Sequence, residues 1–213
     1  MSATSFEIRV CQNCGLRYPR FQGQRTPERC PACLGQTTAV LVQALEYGSE
    51  AKNAAWDPQV NLHVLLDNIR SAGNVGSIIR SADAFEFQRA YLCGITSTPQ
   101  NRGARKTALG AENIVPWSVH KNGLDLVIQL QKEGCLVWAL ESTSSSVPLD
   151  DLPSRPEKSN TLVLVLGNEV TGVDPGILLI ADKTVHLPMR GFKRSFNVAV
   201  AFALAAQLLR SRR

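Results

Sequence analysis

Four of the six cysteines fall as Cys11-x2-Cys14 and Cys30-x2-Cys33, with fifteen residues between the pairs. Two thiolates three positions apart grip one tetrahedral ion from a tight knuckle turn, and a second knuckle completes a four-sulfur shell. Gly15 follows the first pair, while Pro31 and Gly35 sit in and after the second, where such turns need permissive backbone. Cys11, Cys14, Cys30 and Cys33 are therefore expected to hold a structural Zn2+. Two disulfides are the alternative, which a reducing cytoplasm disfavours. Cys93 and Cys135 stand singly in apolar runs and read as buried strand residues.

The second chemistry is cationic. Over 213 residues, Lys+Arg number 23 against 18 Asp+Glu, a net charge of +5. The excess is modest, but it is clustered. Arg102, Arg105 and Lys106 lie in a stretch without an acid between Glu86 and Glu112. Arg190, Lys193 and Arg194 form a second cluster, and Arg210, Arg212 and Arg213 a third. Such clusters suit a polyanion. Between the knuckles, Arg17, Tyr18, Arg20, Phe21 and Arg25 interleave cations with aromatics. A nucleic-acid contact and a solvated hairpin with a tiny core both account for that pattern.

These residues need elements to position them. Residues 6–11, 16–20 and 37–47 read as short strands around the cysteines, giving a zinc ribbon over residues 1–48. So small a unit has little core, and the metal is expected to supply much of its folding free energy. Residues 49–60 are polar, small and Pro-containing and read as a linker.

From residue 61 strands and helices alternate. Residues 61–67 (NLHVLLD) form an apolar strand run, and 74–85 are helical with Val75, Ile78, Ile79 and Ala82 on one face. Further strands are expected at 90–95, 135–140, 161–167 and 183–188, and helices at 123–134, at 175–181 and from Asn197 onward. Residues 99–112 hold a possible short helix, and 142–160 read as a loop. The terminal helix is apolar almost all round until Gln207 and is expected to lie buried between layers. Continuous apolar strands separated by helices indicate an α/β domain with a parallel sheet covered on both faces.

In such sheets ligands bind beyond the carboxyl ends of the strands. Asp67 to Arg70, Leu140 to Ser142, Gly167 to Glu169 and Pro188 to Gly191 occupy those ends, and one shared pocket is the economical reading. Neither a GxxxxGK[ST] phosphate loop nor a GxGxxG fingerprint is present. The longest strictly apolar run, Val198–Ala206, is nine residues, below the ~18 of a membrane span. The first ten residues lack the apolar region of a secretory signal. A cytoplasmic protein without a membrane partner is expected.

Three segments carry a resemblance. Residues 68–83 (NIRSAGNVGSIIRSAD), 166–173 (LGNEVTGV) and 187–201 (LPMRGFKRSFNVAVA) resemble the three motifs of the SPOUT superfamily, TrmH/SpoU branch, in order and spacing. The resemblance covers residues 61–213. It implies a SPOUT fold with a C-terminal trefoil knot, an exception to unknotted topology. It also implies a homodimer that uses S-adenosyl-L-methionine to methylate a ribose 2′-hydroxyl in tRNA or rRNA, with RNA and not DNA as partner. Backbone groups at Leu140, Gly167, Leu187, Met189 and Ser195 would then hold the cofactor. Glycines in such turns let a ligand approach where no Cβ intrudes.

The same resemblance points to Asn74, Arg80, Glu169, Ser195 and Asn197 as the catalytic set, with Arg102, Arg105, Lys106, Arg190, Lys193 and Arg194 on the RNA. A guanidinium stays protonated in proteins, so Arg80 is read as clamping a phosphate and not as a base. Each of the others has a plainer reading as well. Asn74, Ser195 and Asn197 suit helix caps, and Glu169 suits a loop brace. One departure is visible: the third motif commonly reads Ser-Leu-Asn-Val-Ser, and here it is Ser-Phe-Asn-Val-Ala at 195–199. Phe196 and Ala199 are expected to be packing changes on a buried helix. An RNA-binding protein that kept the fold and the ribbon but lost catalysis is the competing expectation.

Overall fold

The computed structural model describes residues 5–21, 29–44, 60–152 and 159–211. The linker at 49–59, Arg25, and Arg212 with Arg213 lie outside the described residues. The chain divides into two compact units, residues 1–54 and 55–213.

The first unit is a three-stranded antiparallel sheet of β1 (Ser5–Cys11), β2 (Arg17–Phe21) and β3 (Thr37–Ala44), in the order β2-β1-β3. The two knuckles sit at the ends of these strands, closed by Gly15 N–H donating to Cys11 O and Leu34 N–H donating to Cys30 O. Apolar burial is scarce. Cys11 and Cys30 are the buried apolar residues among those described, while Val40, Leu41 and Val42 of β3 are 47–60% exposed.

The second unit is a seven-stranded sheet in which every pairing is parallel. Its strands are β4 (Asn61–Asp67), β5 (Arg89–Cys93), β6 (Trp117–His120), β7 (Leu136–Leu140), β8 (Val147–Pro148), β9 (Thr161–Leu166) and β10 (Lys183–His186). They run β6-β5-β4-β9-β7-β10-β8 across the sheet, so β9 enters between β4 and β7. The helices are α1 (Ala72–Ala84), α2 (Arg102–Ala108), α3 (Gly123–Lys132), α4 (Pro175–Ile180) and α5 (Val198–Ser211). Alternation along the strands separates two cores. Leu62, Val64 and Leu66 of β4, with Leu162 and Leu164 of β9, face Ile78 and Ile79 of α1 and Phe202 of α5. Leu65, Val163 and Val165 face Leu126 of α3 and Ile177 of α4. Among the described residues no helix is long and apolar enough to cross a membrane.

Three expectations need correction. Residues 117–120 form an edge strand that the sequence hid, because four residues with two polar side chains carry no apolar run. The Ser-rich loop contains β8, two residues long and paired to β10. Most consequentially, α5 is not sandwiched. Phe202, Ala205 and Ala206 are buried against the sheet, but Val200 and Leu204 are 48% and 42% exposed. A helix on the outer layer turns only one side inward, so an all-round apolar sequence leaves an apolar outer face. The far end of α5 is pinned by Arg210, whose guanidinium donates to the Phe85 and Glu86 carbonyls after α1 and to the Val60 carbonyl before β4.

Candidate functional site

The carboxyl ends of β7, β9 and β10 open into a cleft of about 510 Å³. All five residues expected to hold the cofactor, Leu140, Gly167, Leu187, Met189 and Ser195, line it. Glu169 and Asn197 line it as well. Volumes of ~300–1,000 Å³ are ordinary for small-molecule sites. Two other hollows in this unit measure about 490 and 510 Å³, so size alone does not single out the cleft.

A chain of side chains ties the three motif segments at its mouth. Asn197 Nδ2 donates to Asn74 Oδ1 at 3.1 Å, and Asn74 Nδ2 donates to Glu169 Oε1 at 2.9 Å. Glu169 also accepts from the Arg70 N–H at 2.9 Å and the Ser71 N–H at 3.1 Å. The plainer reading of Glu169 as a brace thus holds together with its place at the cleft. Asn197 likewise caps α5, accepting from the Ala199 N–H at 3.0 Å while its amide reaches Asn74. Asn74 is not a cap. Ser71 takes that position, its side chain accepting from the Asn74 N–H, which frees the Asn74 amide to bridge. Ser195 lies before that cap and lines the cleft.

Burial pushes the Glu169 carboxyl upward, but the Arg70 N–H, then Asn74 and the other backbone donors, hold it below its ordinary 4.5. A depressed carboxylate stabilises the fold above its unfolded value and loses that contribution as pH falls through its folded value. Glu169→Gln is therefore expected to be less stable than the parent at pH 7 and equal to it well below pH 4.5. The difference should be about 1 kcal/mol or less, because the carboxylate is exposed and screened. Thermal unfolding of both proteins across that pH range measures it; a constant gap at all pH values contradicts the brace.

Several positioning residues carried no role in the sequence reading although they sit at the strand ends it singled out. Asp67, buried at the end of β4, accepts from the Asp174 N–H at 2.9 Å and the Asn68 amide at 2.8 Å, and desolvation pushes its carboxyl upward. Asn168 Nδ2 donates to Asn68 O at 2.7 Å, and its Oδ1 accepts from the Val170 and Thr171 N–H groups. Glu141 accepts from the Val173 N–H at 3.0 Å. These bonds lock the first and second motif loops together. Gly167 has a further reason in the packing of this turn. A Cβ there would overlap the Gly172 and Val173 backbone, so the turn itself requires the glycine.

Arg80 stands apart from the cleft. It lies six residues beyond Asn74, about 240° around α1 and ~9 Å along it, and lines a different hollow with Lys106. Of the other expected RNA contacts, Arg194 lines the cleft, Arg105 lies 3.8 Å from Glu112, and Arg102, Arg190 and Lys193 are exposed. Phe196 is another correction. Because α5 begins only at Val198, Phe196 lies in the preceding loop, 41% exposed, and lines the cleft. Ala199 is half-buried at the start of α5.

In the first unit, Cys11, Cys14, Cys30 and Cys33 place their sulfurs within 4.8 Å of one another, with Cys11–Cys33 at 3.5 Å and Cys14–Cys30 at 3.6 Å. Zn–S bonds of ~2.3 Å in a tetrahedron set sulfurs ~3.8 Å apart, so the set fits zinc. The Gly35 N–H leads the neighbours that draw Cys33 down to about 6. Cys14, despite the Leu16 N–H, is pushed up to about 12 by the sulfurs around it. Four thiols this close cannot all ionise unless a cation shares their charge.

The family model for the SpoU rRNA Methylase family matches residues 61–207. The chain is 31% identical over 147 residues to the 23S rRNA (guanosine(2553)-2′-O)-methyltransferase RlmP of Bacillus subtilis, a match covering 69% of this chain and 57% of that protein. It is 28% identical over 147 residues to the tRNA (guanosine(18)-2′-O)-methyltransferase of Escherichia coli, covering 68% of this chain and 61% of the relative. The chain thus spans under two thirds of the length of these curated relatives. An AdoMet-bound rRNA methyltransferase from Sinorhizobium meliloti superposes with a TM-score of 0.66 at 28% identity, over 72% of this chain and 57% of that one. The three motif segments, the parallel sheet they terminate and the match over residues 61–207 together place the chain in the SpoU rRNA methylase family.

Proposed function

We propose that the protein is an S-adenosyl-L-methionine-dependent 2′-O-methyltransferase acting on a ribose of tRNA or rRNA. The observation that carries this reading is the Asn197–Asn74–Glu169 chain at the mouth of a cleft lined by all five expected cofactor residues. The donor set suits the cofactor: Leu140, Leu166, Leu187 and Met189 offer apolar walls, and Glu141, Glu169 and Arg194 offer charges for its ammonium, sulfonium and carboxylate. When bound, the cofactor supplies a methyl group already activated on a sulfonium.

The chain's own residues must then align the ribose and deal with its proton. Asn197 and Asn74, fixed by their mutual bond, orient the ribose, and Ser195 offers a hydroxyl at the same wall. Arg80 grips a phosphate beside the ribose and stays protonated throughout. The 2′-hydroxyl proton leaves to a phosphate oxygen or water.

A second copy of the chain belongs to the same reading. The groove between α1 and α5, lined by Asn74, Phe85, Ala199, Val200 and Leu204, leaves an apolar surface for it. Arg80 lies outside the cleft of its own chain, which a homodimer remedies by presenting it to the partner's cleft. We further place a structural Zn2+ in the Cys11, Cys14, Cys30 and Cys33 set, the ribbon over residues 1–48, the linker over 49–60 and the methyltransferase domain with its trefoil knot over 61–213. A reducing cytoplasm suits those thiolates. Incubation with labelled cofactor and total RNA, followed by mapping of the product, is expected to yield one 2′-O-methylated ribose. Cofactor binding with no transfer to any RNA would overturn the proposal in favour of a binding protein.

A further inference from the structure

Helices α1 and α2 meet backbone to backbone. A Cβ at Gly76 would overlap the Ala104 carbonyl and the Thr107 hydroxyl, and Thr107 Oγ1 donates to Gly73 O at 2.9 Å. That approach brings the last turn of α2 alongside the middle of α1. A hollow of about 490 Å³ lies where they diverge, lined by Ser77, Arg80, Ser81, Lys106, Thr107 and Leu109. No acid lines it. Among the described residues neither the Arg80 nor the Lys106 side chain has a hydrogen bond or a carboxylate within 4.0 Å, whereas Arg105 of the same helix lies 3.8 Å from Glu112.

Two uncompensated cations at one hollow repel each other, and an anion between them turns that cost into attraction. The hydroxyls narrow the choice of anion. Ser77 and Thr107 already donate to the Gly73 carbonyl, so the free donors are the Arg80 fork, the Lys106 ammonium and the Ser81 hydroxyl. A phosphodiester presents two non-bridging oxygens and one charge, which suits a guanidinium on one oxygen and an ammonium on the other. Leu109, 66% exposed at the rim, offers an apolar face to the adjoining sugar.

We infer that Arg80 and Lys106 form a single seat for one backbone phosphodiester of the substrate RNA. The inference rests on the RNA methyltransferase reading and sharpens it: of the three cations on α2, Lys106 shares the phosphate held by Arg80, and Arg102 and Arg105 do not.

The test compares the parent protein with Arg80→Ala, Lys106→Ala, the double variant, Lys106→Arg and Arg105→Ala. Binding of labelled unfractionated tRNA and fragmented rRNA is measured across a salt series, and methyl transfer to the same RNA is measured alongside. Lys106→Ala is expected to weaken binding about fivefold or more, and Lys106→Arg to restore most of it. The double variant should bind little worse than either single variant and lose roughly 0.7–0.9 from the log–log salt slope, one phosphate's worth. Arg105→Ala should instead multiply with Arg80→Ala. Multiplying losses and twice that slope change in the Arg80/Lys106 double variant would overturn the shared seat, as would unaltered binding by Lys106→Ala. Failure of the enzymatic reading shows separately, as intact coupling in a protein that transfers no methyl group.

Discussion

Arg80→Ala is expected to lower methyl transfer by at least about 10²–10³-fold, the scale on which removal of one preorganised charged or hydrogen-bonding group acts, while S-adenosyl-L-methionine binding stays at the parent level. The separation follows from placement. Arg80 contributes nothing to the cleft lined by Leu140, Gly167, Leu187, Met189 and Ser195, so its loss should leave cofactor affinity by calorimetry unchanged. Arg80→Lys should recover only part of the activity, since an ammonium lacks the fork. The proposed homodimer adds a sharper expectation. If Arg80 serves the partner's cleft, mixing and refolding Arg80→Ala with Ser195→Ala protomers creates heterodimers with one intact site. About a quarter of parent activity should return from two inactive proteins, by random pairing in a two-fold dimer. Parent-like transfer by Arg80→Ala would refute its role, and absence of complementation would put Arg80 and Ser195 to work within one chain.

Loss of the proposed zinc should have the second large effect, confined to the first unit. Structural zinc sites contribute apparent free energies of ~10–16 kcal/mol, far more than an exposed three-stranded sheet with buried Cys11 and Cys30 can supply by packing. Cys14→Ser, or prolonged chelation, is expected to release the metal and expose residues 1–48 to protease, leaving residues 61–213 resistant and their thermal transition in place. Metal content by mass spectrometry and limited proteolysis read the two halves of this expectation. A metal-free ribbon that resists protease would show that the cysteines are not what holds it. RNA affinity measured on the same variant decides whether Arg17, Tyr18, Arg20 and Phe21 contact nucleic acid or decorate a solvated hairpin.

Legibility in the sequence followed locality. The cysteine cluster was readable because a knuckle is made within four residues, and its two halves need only the short strands around them. Strands β4, β5, β7 and β9 were readable because a two-sided core demands near-continuous apolar runs, whereas β10 buries Val185 alone and was read from its alternation. Strand β6, at the edge, and two-residue β8 carry no such demand and went unseen. The terminal helix misled for the opposite reason: its composition was right for burial, yet its outer face, with Val200 and Leu204, is exposed.

For the expected catalytic set, residue types and motif order were fully present in the sequence, and so were the class of sheet and the family. Their division of labour was not. Whether Asn74 caps a helix or bridges to Glu169 and Asn197 depends on bonds reaching across 95 and 123 residues. The hollow that Lys106 shares with Arg80, away from the Arg105–Glu112 contact, depends on how closely Gly76 lets two helices approach. Spacing and periodicity report what a residue can do within a few turns of its own chain. Which groups share a charge, a proton or a wall is decided where distant segments pack, and only the tertiary structure brings them there.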